Sequence, residues 1–251
     1  MKIRTAILSA CILSLASVSQ GAITWQAAQN ITGDSNVSIN GTSLYAYNFT
    51  TAAGTTQVNG VQFTNSNTFS VAGAYNFDFL SPSTGRATAA DSSHTSGVFT
   101  TLSSSYQALL GQSIRSTGGS GSGVANDAAF NAYALTLNGL TAGIVYEVQV
   151  WISDSRSNDP AILGLGHLDR GAGGPLVDYN VGNTAGNLGQ HVIGTFTATS
   201  TSEDFVFDAY AAPTANVALL NAFQVRIIPE PSAALLAAAG LFAGISRRRR
   251  G

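Results

Sequence analysis

The sequence predicts an all-β protein, an antiparallel β-sandwich of jelly-roll type, and three observations support that class. Short runs alternate apolar with polar residues, turn pairs such as Asn138-Gly139 separate runs, and only one stretch has a convincing helical pattern. Alternation with period two is typical of strands with one face in a core, and many short strands joined by turns are typical of sandwiches. An immunoglobulin-like sandwich is the alternative architecture.

The first element, residues 1–21, is predicted to be a secretory signal peptide. A basic start is followed by a mainly apolar stretch over residues 6–18, and Ser19 and Gly21 place small residues before a cleavage site after Gly21. Cys11 is the only cysteine, so the exported chain is expected to have no disulfide. The residues up to Cys11 also fit a lipoprotein box, although few apolar residues precede it.

Nine strands and one helix are predicted between this segment and residue 228. The strands are residues 23–26, 44–49, 58–63, 75–79, 133–137, 146–152, 191–196, 205–210 and 219–227, and the helix is residues 103–110, ended by Gly111. In residues 146–152 an apolar face lies opposite Glu147, Gln149 and Trp151. In residues 219–227 the apolar face lies opposite Gln224 and Arg226. This pattern is typical of half-buried antiparallel strands.

Composition limits the partners of this middle part. Residues 22–228 contain five arginines, no lysine and twelve acidic residues, which is a formal net charge of −7. An acidic surface is unsuited to nucleic acid and to anionic membranes.

The last element, residues 229–251, has the properties of a membrane-sorting segment. Pro229, Glu230 and Pro231 precede a 14-residue uncharged stretch, residues 232–245, and Arg247, Arg248, Arg249 and Arg250 follow it. As a helix the stretch is about 21 Å long, short for a hydrocarbon core of about 30 Å. The four arginines predict a cytoplasmic stop. The segment is therefore expected to enter an inner membrane from outside, transiently or as a permanent anchor.

These three parts, in this order, resemble the PEP-CTERM sorting signal. The resemblance implies export from a Gram-negative bacterium through the Sec route, cleavage by signal peptidase, and recognition of the tail by exosortase with processing near Pro229, Glu230 and Pro231. It also implies a cell-surface or exopolysaccharide-matrix location. Residues 34–49, 137–151 and 220–226 resemble the carbohydrate-binding or galactose-binding-like sandwiches of such proteins. The chain is therefore predicted to have three regions: a signal peptide (1–21), an ectodomain (22–228) and a sorting signal (229–251).

The best candidate ligand site follows the strand 146–152. Asp154, Asn158 and Asp159 bring several oxygen ligands close together, as Ca²⁺ prefers. Arg156 occupies a position that an EF-hand gives to a ligand, so the alternative is a loop in which Arg156 pairs with the acids.

Other polar and aromatic residues have weaker functional interpretations. His167, Asp169 and Arg170 fit either a sugar or carboxylate site or a solvated turn, and Trp25 and Trp151 fit either sugar-stacking platforms or semi-buried residues. Asp204 and Asp208 are interpreted as charges on an edge strand. No defensible catalytic motif is present. The Gly-x-Ser-x-Gly signature of α/β-hydrolases does not occur in the sequence.

The sequence therefore predicts a non-enzymatic exported protein whose sandwich binds glycan or builds matrix. It predicts no obligatory cofactor, with Ca²⁺ as the one candidate ion. The alternative is a secreted carbohydrate-active enzyme, a lyase or glycosidase, on a jelly-roll scaffold.

Overall fold

The computed structural model describes residues 22–79, 85–87, 97–117, 132–154, 165–210 and 218–229. The strands are β1 (Thr24–Trp25), β2 (Gln29–Asn30), β3 (Thr42–Phe49), β4 (Thr55–Val58), β5 (Val61–Ser66), β6 (Ser70–Val71), β7 (Tyr75–Phe79), β8 (Gly85–Ala87), β9 (Ile114–Thr117), β10 (Ala132–Asn138), β11 (Val145–Ile152), β12 (Leu165–Leu168), β13 (Leu176–Asp178), β14 (Gln190–Thr197), β15 (Ser202–Tyr210), β16 (Ala218–Leu220) and β17 (Ala222–Ile227). The helix is α1 (Ser104–Leu110), and 3₁₀ turns cover Asp34–Asn36, Phe99–Thr101, Arg170–Ala172 and Val181–Asn183.

Three sheets arise from these strands. The central sheet has the order β1-β14-β11-β17-β3-β5-β4, with β2 also paired to β14. The outer sheet has the order β13-β12-β15-β10-β7-β6, and the small sheet has the order β16-β9-β8. The pairs are antiparallel except β3 with β5. The all-β, mainly antiparallel class predicted from alternation is confirmed.

The main core lies between the central and outer sheets, which pack face to face. Phe223 on β17 stacks on Phe49 on β3, with ring centroids 5.8 Å apart. Phe49 meets Phe77 of the outer sheet edge-on at 5.3 Å. All three side chains are buried. Burial of each such ring contributes about 1.5–3 kcal/mol, and these contacts hold the two layers together.

A second core covers part of the opposite face of the central sheet. Helix α1 packs there, with its first turn capped by Ser103 Oγ, which accepts from Tyr106 N at 3.1 Å. Tyr106 Oη accepts a hydrogen bond from Trp151 Nε1 at 3.0 Å, and both side chains are fully buried. The predicted helix is confirmed. Gly111 is its C-cap, in a right-handed conformation.

Two predicted strands are each divided in the structure. Residues 58–63 contain a hairpin turn, because Asn59 (φ 47°) and Gly60 (φ 77°) adopt the left-handed conformation of a tight turn between β4 and β5. Residues 219–227 are interrupted at Asn221. Its buried amide donates to the carbonyl oxygens of Leu110, Gln112 and Ser153 while the chain passes from the small sheet to the central sheet.

The interpretation of Asp204 and Asp208 as edge charges is wrong. Both lie on β15, which is an interior strand of the outer sheet between β12 and β10. Alternation shows which residues share a face of a strand, but it does not show where the strand lies within its sheet.

Candidate functional site

The outer face of the central sheet carries a ladder of buried polar side chains. Glu147 lies opposite Arg226, and Gln149 lies opposite Gln224, where β11 pairs with β17. All four are buried, and the two glutamines have no exposed surface. The prediction that these strands are half-buried is therefore wrong at this point, because the polar face is covered as well.

The cover is a segment that we call the strap, residues 34–41. Gln149 Oε1 accepts from Ser38 N at 2.9 Å, while Gln149 Nε2 donates to Asn36 O at 2.6 Å. Gln224 Nε2 donates to Ser38 O at 3.0 Å and to Gln149 Oε1 at 2.8 Å. The side chains thus bond the backbone of a chain segment that has no strand partner of its own. Such pairing removes the cost of burying polar groups.

Arg226 and Asn59 fasten the rest of the strap. Arg226 Nε donates to Asn40 O at 2.5 Å, and Arg226 Nη2 donates to Gly41 O at 3.0 Å. Asn59 Nδ2 donates to Val37 O at 2.8 Å from the turn between β4 and β5. Gly41 has a φ of 65°, and a Cβ there would collide with the Ile227 carbonyl oxygen. Glycine is therefore required where the strap enters β3.

The ladder continues to His191 on β14. Gln149 Nε2 and His191 Nδ1 are 3.1 Å apart. The amide orientation of Gln149 is determined by its other bonds, since Ser38 N must donate to its oxygen and Asn36 O must accept from its nitrogen. His191 Nδ1 therefore accepts, and the imidazole proton is on Nε2. Burial lowers the pKa of His191 to about 4, so the ring is neutral near pH 7.

A cleft of about 680 Å³, which we call the His191 cleft, lies beside the strap. Its lining residues are Ala28, Gln29, Asn30, Thr32, Ser35, Asn36, Ser38, His191 and Ile193. None of these lining residues is charged at neutral pH, because His191 is neutral. The lining is instead rich in hydroxyl and amide groups, which both donate and accept hydrogen bonds.

A second cleft of about 720 Å³ lies near the other end of the strap, and we call it the Arg226 cleft. Arg226, Ser43 and Tyr45 are among its lining residues, together with Ile39, whose side chain is 64% exposed. The guanidinium donates to three oxygens of the strap and ladder, so its charge is already engaged by carbonyl groups.

Only part of the predicted oxygen-ligand cluster is described. Asp154 is buried just beyond β11, its N donates to Tyr179 O at 2.9 Å, and its carbonyl accepts from Asn180 Nδ2. Asn158 and Asp159 lie outside the described residues, so the calcium site stays a prediction. Among the described residues, no three His, Cys, Asp or Glu side chains group in a way that fits a metal ion.

The structure gives Asp169 a tethering role. Its Oδ2 accepts from Trp25 Nε1 at 2.7 Å, and its Oδ1 accepts from Val206 N at 2.7 Å. Burial raises the pKa of this carboxyl, and the two hydrogen bonds oppose that rise. His167 is half-buried within β12, opposite Asp208 on β15, and the side chain of Arg170 lies outside the description. The solvated-turn interpretation of Asp169 is thus wrong, because β1, β12 and β15 enclose it.

Neither tryptophan is an open stacking platform in this structure. Trp151 is fully buried, and half-buried Trp25 meets Phe205 edge-on at 5.3 Å inside the main core. Of the two sequence interpretations, the packing role is the one that the structure supports.

Glu203 is a buried carboxyl that the sequence did not single out. It lies on β15 opposite Leu137 and is 2% exposed, and its Oε2 has no hydrogen-bond partner among the described residues. Burial, together with the nearby carboxylates of Asp204 and Asp169, raises the pKa of Glu203 to about 7. Glu203 lines neither cleft.

The predicted sorting residues lie almost entirely outside the described part of the chain. Pro229 is exposed and is the last described residue. Glu230, Pro231, Arg247, Arg248, Arg249 and Arg250 follow it and lie outside the described residues, and the predicted signal segment 1–21 lies outside them as well. Within the described part of the chain, no helix has the length and apolar character needed to cross a membrane.

Comparison with known proteins adds no family or fold relative. No family model matches the chain, and no curated protein or solved structure matches it either. His191, Gln149 and Gln224 were missed as site residues because glutamine opposite an apolar face has the same pattern whether water or a covering segment lies over it. The only sequence signal of a covered face was that the polar residues at 149 and 224 are uncharged amides.

Proposed function

We propose that this chain is an exported, non-enzymatic surface or exopolysaccharide-matrix protein whose jelly-roll sandwich binds glycan. The observation that carries the proposal is the position of the sandwich between the two predicted sorting segments. Its first strand begins at Thr24, just after the expected cleavage at Gly21, and its last strand ends at Ile227, just before Pro229. Both predicted junctions therefore lie outside the strands of the folded domain, which supports the proposal.

Processing would proceed in two steps. Signal peptidase removes residues 1–21, and the tail then holds the protein in the inner membrane until exosortase acts near Pro229, Glu230 and Pro231. The exposure of Pro229 supports the second step, because an enzyme can reach this end of the domain without unfolding β17. The arginines at 247–250 stop transfer at the cytoplasmic side.

Glycan binding is favoured by the character of the surface. The ectodomain has few charges for its size, and the His191 cleft offers many hydroxyl and amide groups. Sugars expose the same groups, so they are recognised by many neutral hydrogen bonds rather than by ion pairs.

The test follows the protein from synthesis to its final location. Cells that make the full chain are fractionated, and mass spectrometry of the mature protein maps both termini. The released protein is then sedimented with the exopolysaccharide of the same cells, with Ca²⁺ and with EDTA. We expect a mature N-terminus at Ala22, loss of the arginine cluster, and saturable co-sedimentation. Loss of binding in EDTA would indicate a calcium-dependent site and point to Asp154, Asn158 and Asp159.

Contrary results are equally specific. An intact tail on the surface protein would indicate a permanent anchor, and a protein that stays inside the cell would refute export. New reducing or unsaturated sugar ends after incubation would establish the carbohydrate-active enzyme instead. Absence of binding in both conditions would leave a purely structural matrix protein.

A further inference from the structure

We propose that the His191 cleft binds an uncharged sugar residue, with His191 Nε2–H as the donor supplied by the sheet and the strap as the wall. This inference rests on the proposed glycan binding and adds its site and the chemical class of its ligand. It arises from the hydrogen-bond network of the ladder.

The proton position of His191 is set by Gln149, which does not line the cleft. Gln149 has four hydrogen-bond partners: Ser38 N, Asn36 O, Gln224 Nε2 and His191 Nδ1. Its orientation is thereby locked, which makes Nδ1 an acceptor. His191 lines the cleft, so Nε2–H is the donor that remains for a ligand. A donor held in one tautomer by a buried network loses little freedom on binding, which favours affinity.

The rest of the wall matches a polyhydroxyl ligand. Ser35 is exposed at the strap, and Asn30 and Thr32 are exposed beside it. Hydroxyl groups of a sugar both donate and accept, so they complement a mixture of hydroxyls, amides and one imidazole N–H. The cleft volume of about 680 Å³ lies within the usual range of small-molecule sites, about 300–1,000 Å³.

Charge selects neutral over acidic sugars. The lining has no arginine or lysine to pair with a uronate carboxylate. The strap also carries Asp34, whose Oδ1 accepts from Ser103 Oγ at 2.6 Å. The carboxylate of an acidic sugar would lose its hydration in this cleft with no cationic side chain to pair with. A neutral hexose has no charge to desolvate.

The experiment measures binding of the full chain, in mild detergent, to oligosaccharides by calorimetry. The probes are cello-, manno- and galacto-oligosaccharides as neutral ligands and tri-galacturonate as the acidic one. Ser35→Leu fills the His191 cleft from an exposed position without touching the ladder. Ser43→Leu is the matched control, because Ser43 is also exposed but lines the Arg226 cleft. His191→Phe removes the donor and keeps a ring of similar size.

We expect at least one neutral probe to bind and tri-galacturonate not to bind. Ser35→Leu and His191→Phe should each weaken Kd by about tenfold or more, the effect of losing one well-placed hydrogen bond or the space for the ligand. Ser43→Leu should match the parent protein. Imidazole nitrogen NMR of the unliganded parent should show a protonated Nε2 and an unprotonated Nδ1, independently of any ligand.

Different results separate this inference from the proposed function. Binding of a neutral probe that Ser35→Leu leaves unchanged, or that only Ser43→Leu abolishes, overturns the site but not glycan binding. Binding of tri-galacturonate alone overturns the ligand class. A proton on Nδ1 overturns the donor assignment even if His191→Phe does not fold. Failure of every probe and of the exopolysaccharide to bind refutes glycan binding itself.

Discussion

Gln149→Leu is expected to destabilise the protein strongly, although it replaces a polar residue by an apolar one of similar size. Gln149 is fully buried and joins the central sheet to the strap through four hydrogen bonds. Leucine supplies none of them. The change therefore tests whether the ladder holds the strap in place.

The magnitude follows from the groups left without a partner. Ser38 N, Asn36 O, His191 Nδ1 and one N–H of Gln224 Nε2 each lose a bond. An unsatisfied buried group costs about 1–3 kcal/mol. The strap is only partly buried, so water reaches some of these groups and the lower end of that range applies. We expect a loss of about 4 kcal/mol in the free energy of unfolding. For a domain of this size, Tm should fall by about 12 °C.

The assay is urea denaturation of the parent and variant, with amide hydrogen exchange at Ser38 as the local measurement. Gln62→Leu is the matched control, because Gln62 is exposed on β5 and its side chain makes one hydrogen bond, to Thr55 Oγ1 at 3.1 Å. It should change stability by about 0.5 kcal/mol or less. Exchange at Ser38 should be much faster in Gln149→Leu only. A loss below about 1 kcal/mol with Ser38 still protected would refute the role assigned to the ladder.

Three further predictions concern other parts of the molecule. Glu203→Gln should be more stable than the parent at pH 8, by up to about 3 kcal/mol, and the difference should vanish below about pH 4.5. The Glu203 carboxyl stays protonated in the folded protein up to its pKa of about 7, so the stability of the parent falls as the pH rises from about 4.5 to 7. Identical pH profiles of stability would contradict this. Ser103→Ala should cost about 1 kcal/mol in urea denaturation, because Tyr106 N loses its cap and Asp34 Oδ1 loses a donor. Ser104→Ala, at an exposed position, serves as the control. Asp169→Ala should cost about 2–4 kcal/mol and shift Trp25 fluorescence, because the indole N–H and Val206 N both lose an acceptor; unchanged fluorescence would show that Asp169 does not hold Trp25.

The alternation of apolar and polar residues was sufficient to predict several of the strands. Residues 133–137 and 146–152 were predicted as strands because period two places their side chains on alternating faces, and β10 and β11 contain them. The helix over residues 103–110 was predicted with Gly111 as its end, and α1 covers Ser104–Leu110 with Gly111 as its C-cap. The charge balance comes from the sequence alone, and so does the prediction of two sorting segments.

Tertiary structure decided what lies over each face. Gln149 and Gln224 have the pattern of solvent-facing residues, and only the return of residues 34–41 across the central sheet buries them. Whether β15 is an edge or an interior strand depends on its pairing with β12, which is far away in the chain. The His191 cleft, its locked tautomer and the tether at Asp169 arise from contacts between residues more than 30 positions apart. No local period records such contacts, because they join residues that are far apart in the sequence.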